Sequence, residues 1–273
     1  MWAYYNENDP EAAEWLRELI AQGLIEEGEV DERSIEDVTA SDIMSFTQCH
    51  FFAGIGIWSH ALRTAGWAYD RPVWTASCPC QPFSQAGKKA GFDDERNLWP
   101  ALYWLVRQCA PPVLFGEQVA SRHAMAWIDA VQLDMEDMDY AFGAVPFPAA
   151  SVGAPNRRDR LYWVANAAGG QERRVWEREE SKTSAPRGRG TAYQNYPWAD
   201  VAWLECDDGK ARPIEPGLHP LAHGNSERLG RLRAYGNSLN AVAATEFIGA
   251  FMDAIDDIDA LDAFEDAASV YAF

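Results

Sequence analysis

Apolar residues recur at two different spacings along the first 167 residues, and the alternation between these spacings predicts an α/β fold. Short apolar runs at PVWTAS (72–77), PPVLFGEQVAS (111–121) and RLYWVANA (160–167) have the length of buried strands. Between them, LWPALYWLVRQC (98–109) and AMAWIDAVQLDMEDM (124–138) have the apolar spacing of amphipathic helices. Strands that alternate with helices form a mostly parallel sheet, so a Rossmann-like fold is expected.

The first 67 residues follow the same pattern. In PEAAEWLRELIAQG (10–23), Asp9 can cap a helix, Pro10 suits its first position and Gly23 can end it. RSIEDV (33–38) is predicted to be a short strand. CHFFAGIGIWSHALRTAGW (49–67) predicts a strand, a glycine turn and a helix that ends at Gly66.

The regular pattern stops after Ala167. Residues 168–217 contain turns and scattered tryptophan and tyrosine without a helical period, which is typical of a small lobe or a long loop. A clear amphipathic helix returns in AVAATEFIGAFMDAI (241–255). We therefore predict a large domain over 1–167, a small lobe over 168–230, and a segment over 231–273 that returns to the first domain.

Composition excludes several classes of protein. The 273 residues contain five cysteines at irregular positions, which favours a reducing compartment over a disulfide framework. No apolar run approaches 18 residues and no signal peptide is recognisable, so a cytoplasmic protein is expected. The Cys-Pro-Cys spacing is too tight for the usual zinc site, and no metal is expected.

The net charge of −19 argues against a nucleic-acid partner when taken alone. The charge is uneven, however, because acids are concentrated in residues 252–267 and arginines in residues 157–189. A local basic surface can bind a polyanion although the whole chain is acidic. The acidic tail is predicted to be a helix with one solvated face; screening of the site from non-specific DNA is the alternative.

Four short segments carry candidate chemistry. FFAGIG (51–56) can bring backbone close to a ligand, although a plain tight turn explains it equally well. PCQPFS (79–84) follows a strand, where a thiol can be a nucleophile or an inert buried residue. GEQV (116–119) should place Glu117 beside that thiol, and NRRDR (156–160) should point two arginines the same way, unless it is a solvated loop.

Together these segments resemble the DNA cytosine-5 methyltransferase family. FAGIG is similar to its first motif, PCQPFS to its nucleophile motif and GEQV to its Glu-Asn-Val motif. NRRDR is similar to its Gln-x-Arg-x-Arg motif, and YGNSL (235–239) to its final motif. Gln118 and Asn156 depart mildly from the family residues at their positions.

The resemblance implies methylation of cytosine C5 in double-stranded DNA with S-adenosylmethionine, by a monomeric enzyme that flips the base out of the duplex. Cys80 would attack C6, and Glu117 would hold N3 and the exocyclic amine. The implied catalytic residues are Cys80, Glu117, Arg158 and Arg160. The implied cofactor residues are Phe52, Ala53, Gly54, Ile55, Gly56, Pro79, Asn237 and Ser238. The implied DNA-binding residues are Gln81, Ser84, Arg157, Arg173 and Arg174.

The order of the motifs departs from the family. Only 23 residues separate Gly56 from Cys80, whereas the family has two more strands there. We hypothesise a circular permutation in which those two units precede the glycine motif, so that Glu7 binds the cofactor ribose and Ser34 and Ile35 lie near the adenine. The rival hypothesis gives the ribose role to Asp70 and treats the N-terminus as an unrelated extension.

Two other functions stay open on the sequence alone. The resemblance makes residues 1–167 the catalytic and cofactor-binding domain and residues 168–230 the target-recognition lobe. The same chemistry could act on RNA or on a free cytosine nucleotide, since the chain is acidic and this lobe is short. A catalytically inactive DNA-binding or interaction protein is the second alternative, although four intact catalytic residues argue against it. The compact, rearranged order suggests a phage or restriction-modification setting in a bacterial cell.

Overall fold

The computed structural model describes residues 2–79, 97–154, 158–167, 202–205, 211–214 and 239–270. Its strands are β1 (Ala3–Asn6), β2 (Gly28–Asp31), β3 (Gln48–Phe51), β4 (Val73–Ala76), β5 (Val113–Val119), β6 (Ala141–Pro146), β7 (Arg160–Asn166), β8 (Ala202–Glu205) and β9 (Ala211–Ile214). Its α-helices are α1 (Pro10–Ala21), α2 (Ala40–Ile43), α3 (Ile57–Ala65), α4 (Trp99–Cys109), α5 (Arg122–Glu136) and α6 (Ala241–Val270).

Seven strands form one mostly parallel sheet in the order β2-β1-β3-β4-β5-β7-β6. Strands β1 to β5 run parallel to one another, and β7 runs antiparallel to both β5 and β6. The predicted α/β, Rossmann-like fold is therefore confirmed. Within the predicted recognition lobe, β8 and β9 form a separate antiparallel pair.

The N-terminal unit lies inside this sheet rather than beside it. Strand β1 pairs with β3 from Ala3↔Gln48 to Asn6↔Phe51, and β2 pairs with the other side of β1. Helix α1 begins as predicted, because the Asp9 carboxylate accepts hydrogen bonds from the backbone N–H groups of Glu11 and Ala12.

The predicted strand at RSIEDV is wrong. The edge strand is the preceding GEVD (28–31), and a 3₁₀ turn occupies Ile35–Asp37. The side chain of Ser34 accepts a hydrogen bond from the backbone N–H of Glu36 and starts this turn. Ile35 and Val38, three positions apart, are then both buried on one side of the turn.

Helices cover both faces of the sheet. On one face, α4 and α5 pack over Tyr4, Cys49, Phe51, Trp74 and Leu114, together with the turn that contains Ile35. The other face is covered by α1, α3 and α6, which pack over Tyr5, Val73 and Phe115 among others. The two layers leave the carboxyl ends of the parallel strands along one edge of the sheet, where ligands bind in open α/β folds.

Helix α6 runs from the carboxyl edge of the sheet towards its amino edge. The backbone of Asn240, just before α6, forms a hydrogen bond with the Tyr162 hydroxyl. Phe251 stacks on Trp67, which precedes β4. A further 18 or so residues of helix, about 27 Å, therefore follow beyond the amino edge. The acidic tail is helical, as predicted, and its course leads away from the carboxyl edge where the candidate site lies.

Candidate active site

The glycine turn after β3 is held against the end of β1. Phe52, Gly54 and Gly56 have φ of 53°, 54° and 74°, and alternating left-handed residues turn successive backbone N–H groups towards one side. Glu7, the first residue after β1, accepts a hydrogen bond from Gly54 N at 2.7 Å. Its other carboxylate oxygen accepts one from Asp9 N at 2.9 Å.

This contact brings the first predicted ribose ligand to the predicted cofactor turn. A Cβ atom built on Gly54 would meet nothing within 4 Å, so this side of the turn is open. A Cβ on Gly56 would lie 3.0 Å from Ile25, so that glycine packs against the second strand unit instead. The turn therefore has room for a ligand at Gly54, whereas at Gly56 it packs against Ile25.

The carboxyl end of β2 contributes residues that the sequence did not reveal. Asp31, the last residue of β2, accepts hydrogen bonds from Tyr4 at 2.8 Å and from Arg33 at 2.6 Å. The buried side-chain amide of Asn6 donates to the backbone carbonyl of Arg33 at 2.9 Å. Ser34 and Ile35 lie just beyond this network, one strand away from Glu7. Asp31 was not predicted as part of the site, because the edge strand was predicted at residues 33–38 and not at Gly28–Asp31.

Hydrogen bonds from α3 and β5 hold the residues that follow β4 and lead to the predicted nucleophile. Ser77 accepts a hydrogen bond from the indole N–H of Trp58 at 3.0 Å. The next residue, Cys78, is buried, and its carbonyl accepts a hydrogen bond from Gln118 Nε2 at 3.4 Å. Burial raises the pKa of the Cys78 thiol well above its usual range, which agrees with an inert packing role. Pro79 is exposed at the end of this segment.

Glu117 lies on β5, the strand next to β4, with 8% of its surface exposed. The Nε of Arg160 lies 2.5 Å from its carboxylate. Burial raises the pKa of Glu117 to about 7, while the guanidinium groups of Arg160 and Arg158 hold it from rising further. Both guanidinium charges therefore lower the pKa of this one carboxyl group. A carboxyl group that titrates near neutrality can donate or accept a proton at this edge.

Several predicted site residues lie outside the described residues, and their roles stay predictions. They are Cys80, Gln81, Ser84, Arg157, Arg173, Arg174, Asn237 and Ser238. In the described part of the chain, no group of three or more metal-ligating side chains occurs. No helix among those residues is long and apolar enough to span a membrane.

Part of the chain matches a known protein family. Residues 69–196 match the family model described as C-5 cytosine-specific DNA methylase. The matched span covers just under half of the chain, which over that part is similar to C-5 cytosine-specific DNA methylases. The matched residues include PCQPFS, GEQV and NRRDR, whereas the glycine turn and the whole N-terminal unit precede the matched span.

Curated relatives resemble the chain over part of their length. The chain is 35% identical to the type II methyltransferase M.HhaI of Haemophilus parahaemolyticus over 99 residues, which are 35% of this chain and 30% of that protein. It is 27% identical to M.MspI of Moraxella sp over 136 residues, 47% of this chain and 32% of that protein. The chain thus spans about a third of the length of these relatives.

Solved structures resemble the chain more weakly. The S. pombe Dnmt2 methyltransferase superposes with a TM-score of 0.39 and 14% identity over 63% of this chain and 53% of that one. A putative DNA modification methyltransferase from an E. coli prophage gives a TM-score of 0.32 and 17% identity over 61% of this chain and 47% of its own. At these TM-scores the likeness supports no conclusion, and the fold assignment rests on the strand order.

Proposed function

We propose that the protein methylates C5 of cytosine in double-stranded DNA with S-adenosylmethionine as methyl donor. The observation that carries the proposal is the buried Glu117, paired with Arg160, on the strand next to the one that leads into Pro-Cys-Gln. The family match over the same residues supports the chemistry. The described residues also fit the methyl donor, because an open turn at Gly54 and the Glu7 carboxylate lie together at the same edge.

Each residue has a distinct task in this reaction. The Cys80 thiolate forms a bond to C6 of a cytosine that has left the duplex stack, and electron density moves to C5. Protonated Glu117 donates to N3 and so neutralises the charge that develops on the ring. The methyl donor supplies the methyl group that C5 accepts. A base from the solvent then removes the C5 proton, N3 returns its proton to Glu117, and the Cys80–C6 bond breaks. Arg158 and Arg160 hold Glu117 and the cytosine carbonyl throughout.

Nucleoside mass spectrometry tests this function directly. The purified protein, mixed-sequence duplex DNA and S-adenosylmethionine are incubated, and the DNA is digested beside a reaction with Cys80→Ala. We expect 5-methylcytosine with the unaltered protein and none with the variant, since loss of the thiol removes the covalent step. Methylation of an RNA or a free cytosine nucleotide, but not of DNA, would favour the second reading of the sequence. A protein that binds DNA yet modifies none of these substrates would fit the inactive alternative.

We propose further that the cofactor half of the domain is circularly permuted. If β1 and β2 are the two units that the family places after the glycine motif, the end of α3 should lie beside the start of β1. The ring of Trp2, which precedes β1, lies 5.3 Å from the ring of Tyr69, which follows α3. The family match begins at residue 69, after the rearranged part of the chain. The rival ligand Asp70 is exposed before β4, at the amino edge opposite Glu7.

Cofactor titration tests the role of Glu7. We expect Glu7→Gln to weaken S-adenosylmethionine binding about 10- to 100-fold, because a charge-assisted bond to the ribose would be lost. Isothermal titration calorimetry measures the dissociation constant. Asp70→Asn is the matched control and should bind as tightly as the unaltered protein. Equal affinity of Glu7→Gln and the unaltered protein, with weaker binding by Asp70→Asn, would support the rival assignment.

A further inference from the structure

Trp58 connects the helix of the glycine turn to the strand of the predicted nucleophile. It occupies the first turn of α3, two residues after Gly56, and only 3% of its surface is exposed. Its indole N–H donates to the hydroxyl of Ser77 at 3.0 Å. Ser77 is the first residue after β4 and precedes Cys80 by three positions.

Packing fixes the direction of this indole independently of the hydrogen bond. The ring stacks on Phe115 with a centroid distance of 6.1 Å and meets the edge of Tyr162 at 6.1 Å. Tyr162 lies opposite Glu117 in the antiparallel pair of β5 and β7. One rigid side chain therefore contacts the strand of the nucleophile and both strands that hold the catalytic carboxyl group.

The chain between Ser77 and Cys80 has few soft torsions. Pro79 fixes its own φ and restricts Cys78 to extended backbone, and Gln118 holds the Cys78 carbonyl. A displacement of Ser77 would therefore pass along the chain to Pro79, the residue before Cys80, rather than be absorbed between them.

We propose that Trp58 is a positioning residue for the proposed reaction: its hydrogen bond to Ser77 holds the residues that lead into Cys80 in place relative to the glycine turn and Glu117. This inference rests on the proposed function for its meaning in catalysis. Trp58 and Ser77 both lie outside the FAGIG and PCQPFS segments that resemble the family motifs.

The test compares two tryptophans that differ in place but not in burial. Trp58→Phe keeps an aromatic ring and removes the N–H. Trp67→Phe is the matched control, because Trp67 is 4% exposed on the same face and its N–H donates to the Arg71 carbonyl at the amino edge. Single-turnover methyl transfer, the Michaelis constants for DNA and S-adenosylmethionine, and the melting temperature are measured for both variants, for Ser77→Ala and for the Trp58→Phe/Ser77→Ala double variant.

We expect Trp58→Phe to lower the single-turnover rate about tenfold, the size of one buried hydrogen bond, with both Michaelis constants within about twofold. Ser77→Ala should lose the same factor, the double variant no more than either single one, and Ser77→Thr should retain most of the rate. Trp67→Phe should lower the melting temperature by a similar amount without lowering the rate. Equal rates in Trp58→Phe and Trp67→Phe would overturn the proposal.

A second readout does not depend on methyl transfer. The rate at which iodoacetamide alkylates Cys80, followed by peptide mass spectrometry, should change about threefold or more in Trp58→Phe and stay unchanged in Trp67→Phe. An unaltered protein that transfers no methyl group would count against the proposed function. In that case the alkylation rates alone decide whether Trp58 holds the thiol, and identical rates in the two variants would reject it.

Discussion

Replacing Glu117 with glutamine is expected to slow methyl transfer about 10²- to 10⁴-fold, the range for loss of a general acid or base. The amide keeps the size of the side chain at a buried site but cannot give a proton to the cytosine ring. Binding of S-adenosylmethionine should change little, since Glu117 lies two strands away from the glycine turn after β3. Single-turnover kinetics with duplex DNA measure the loss, and Glu136→Gln on the exposed end of α5 is the control.

The pH dependence separates this role from simple damage to the fold. Because burial raises the pKa of Glu117 to about 7 in the folded protein, the group is protonated below that pH. The ratio of the unaltered rate to the Glu117→Gln rate should therefore fall as pH rises through about 7. A ratio that stays constant from pH 6 to 8.5 would show that protonated Glu117 is not the active form.

The same shift makes a prediction about stability, with a definite sign. The folded pKa lies above the ordinary value of 4.5, so the protonated carboxyl group favours the folded state most below pH 4.5. That contribution, on the order of 3 kcal/mol, is lost as pH rises through about 7. The free energy of unfolding is measured by urea denaturation at pH 5 and pH 8. It should be lower at pH 8 by this amount in the unaltered protein, and Glu117→Gln should not show this loss.

The main alternation of strands and helices could be predicted because each element carries its own signal. Buried parallel strands such as β4 are continuous apolar runs, and α3 has a glycine at each end. The edge strand β2 lacked such a signal. Its four residues, GEVD, contain a single large apolar side chain, and their strand conformation comes from pairing with β1. Ile35 and Val38 were the stronger local pattern, and they belong to a turn.

Sequence motifs predicted which residues belong to the candidate site, but not how those residues contact one another. Motif spacing pointed to Glu117, Arg158 and Arg160 because all three belong to short contiguous segments at the ends of strands. The contact between Glu7 and Gly54 spans 47 positions and exists because β1 inserts beside β3. No local pattern reports such an insertion, and the resemblance to the family order alone suggested it. The bond from Trp58 to Ser77 likewise depends on how α3 packs over β4.

Replacing Gly116 with alanine is expected to destabilise the protein by about 3 kcal/mol or more, or to prevent folding, because the core has no room for a methyl group. A Cβ at this position would lie 2.0 Å from Cε2 of Trp163, which stands opposite on β7. That indole is fully buried, with its ring 5.6 Å from Phe142 and 6.0 Å from Trp99. It therefore cannot move aside without displacing the helix and strand that hold it.

Gly143→Ala is the matched control for this substitution. Gly143 also lies in a strand that pairs with β7, but a Cβ there would meet nothing within 4 Å, and the residue is exposed. Urea denaturation followed by circular dichroism should show a free energy of unfolding within about 0.5 kcal/mol of the unaltered protein for Gly143→Ala.

The double variant Gly116→Ala/Trp163→Leu should lose less free energy of unfolding than the sum of the losses in its two single variants, since the smaller side chain removes the clash. Additive losses in that double variant would mean that Gly116 is required for the strand backbone rather than for the indole. In that case Gly116 would not be needed for the packing of the core around Trp163, next to Glu117.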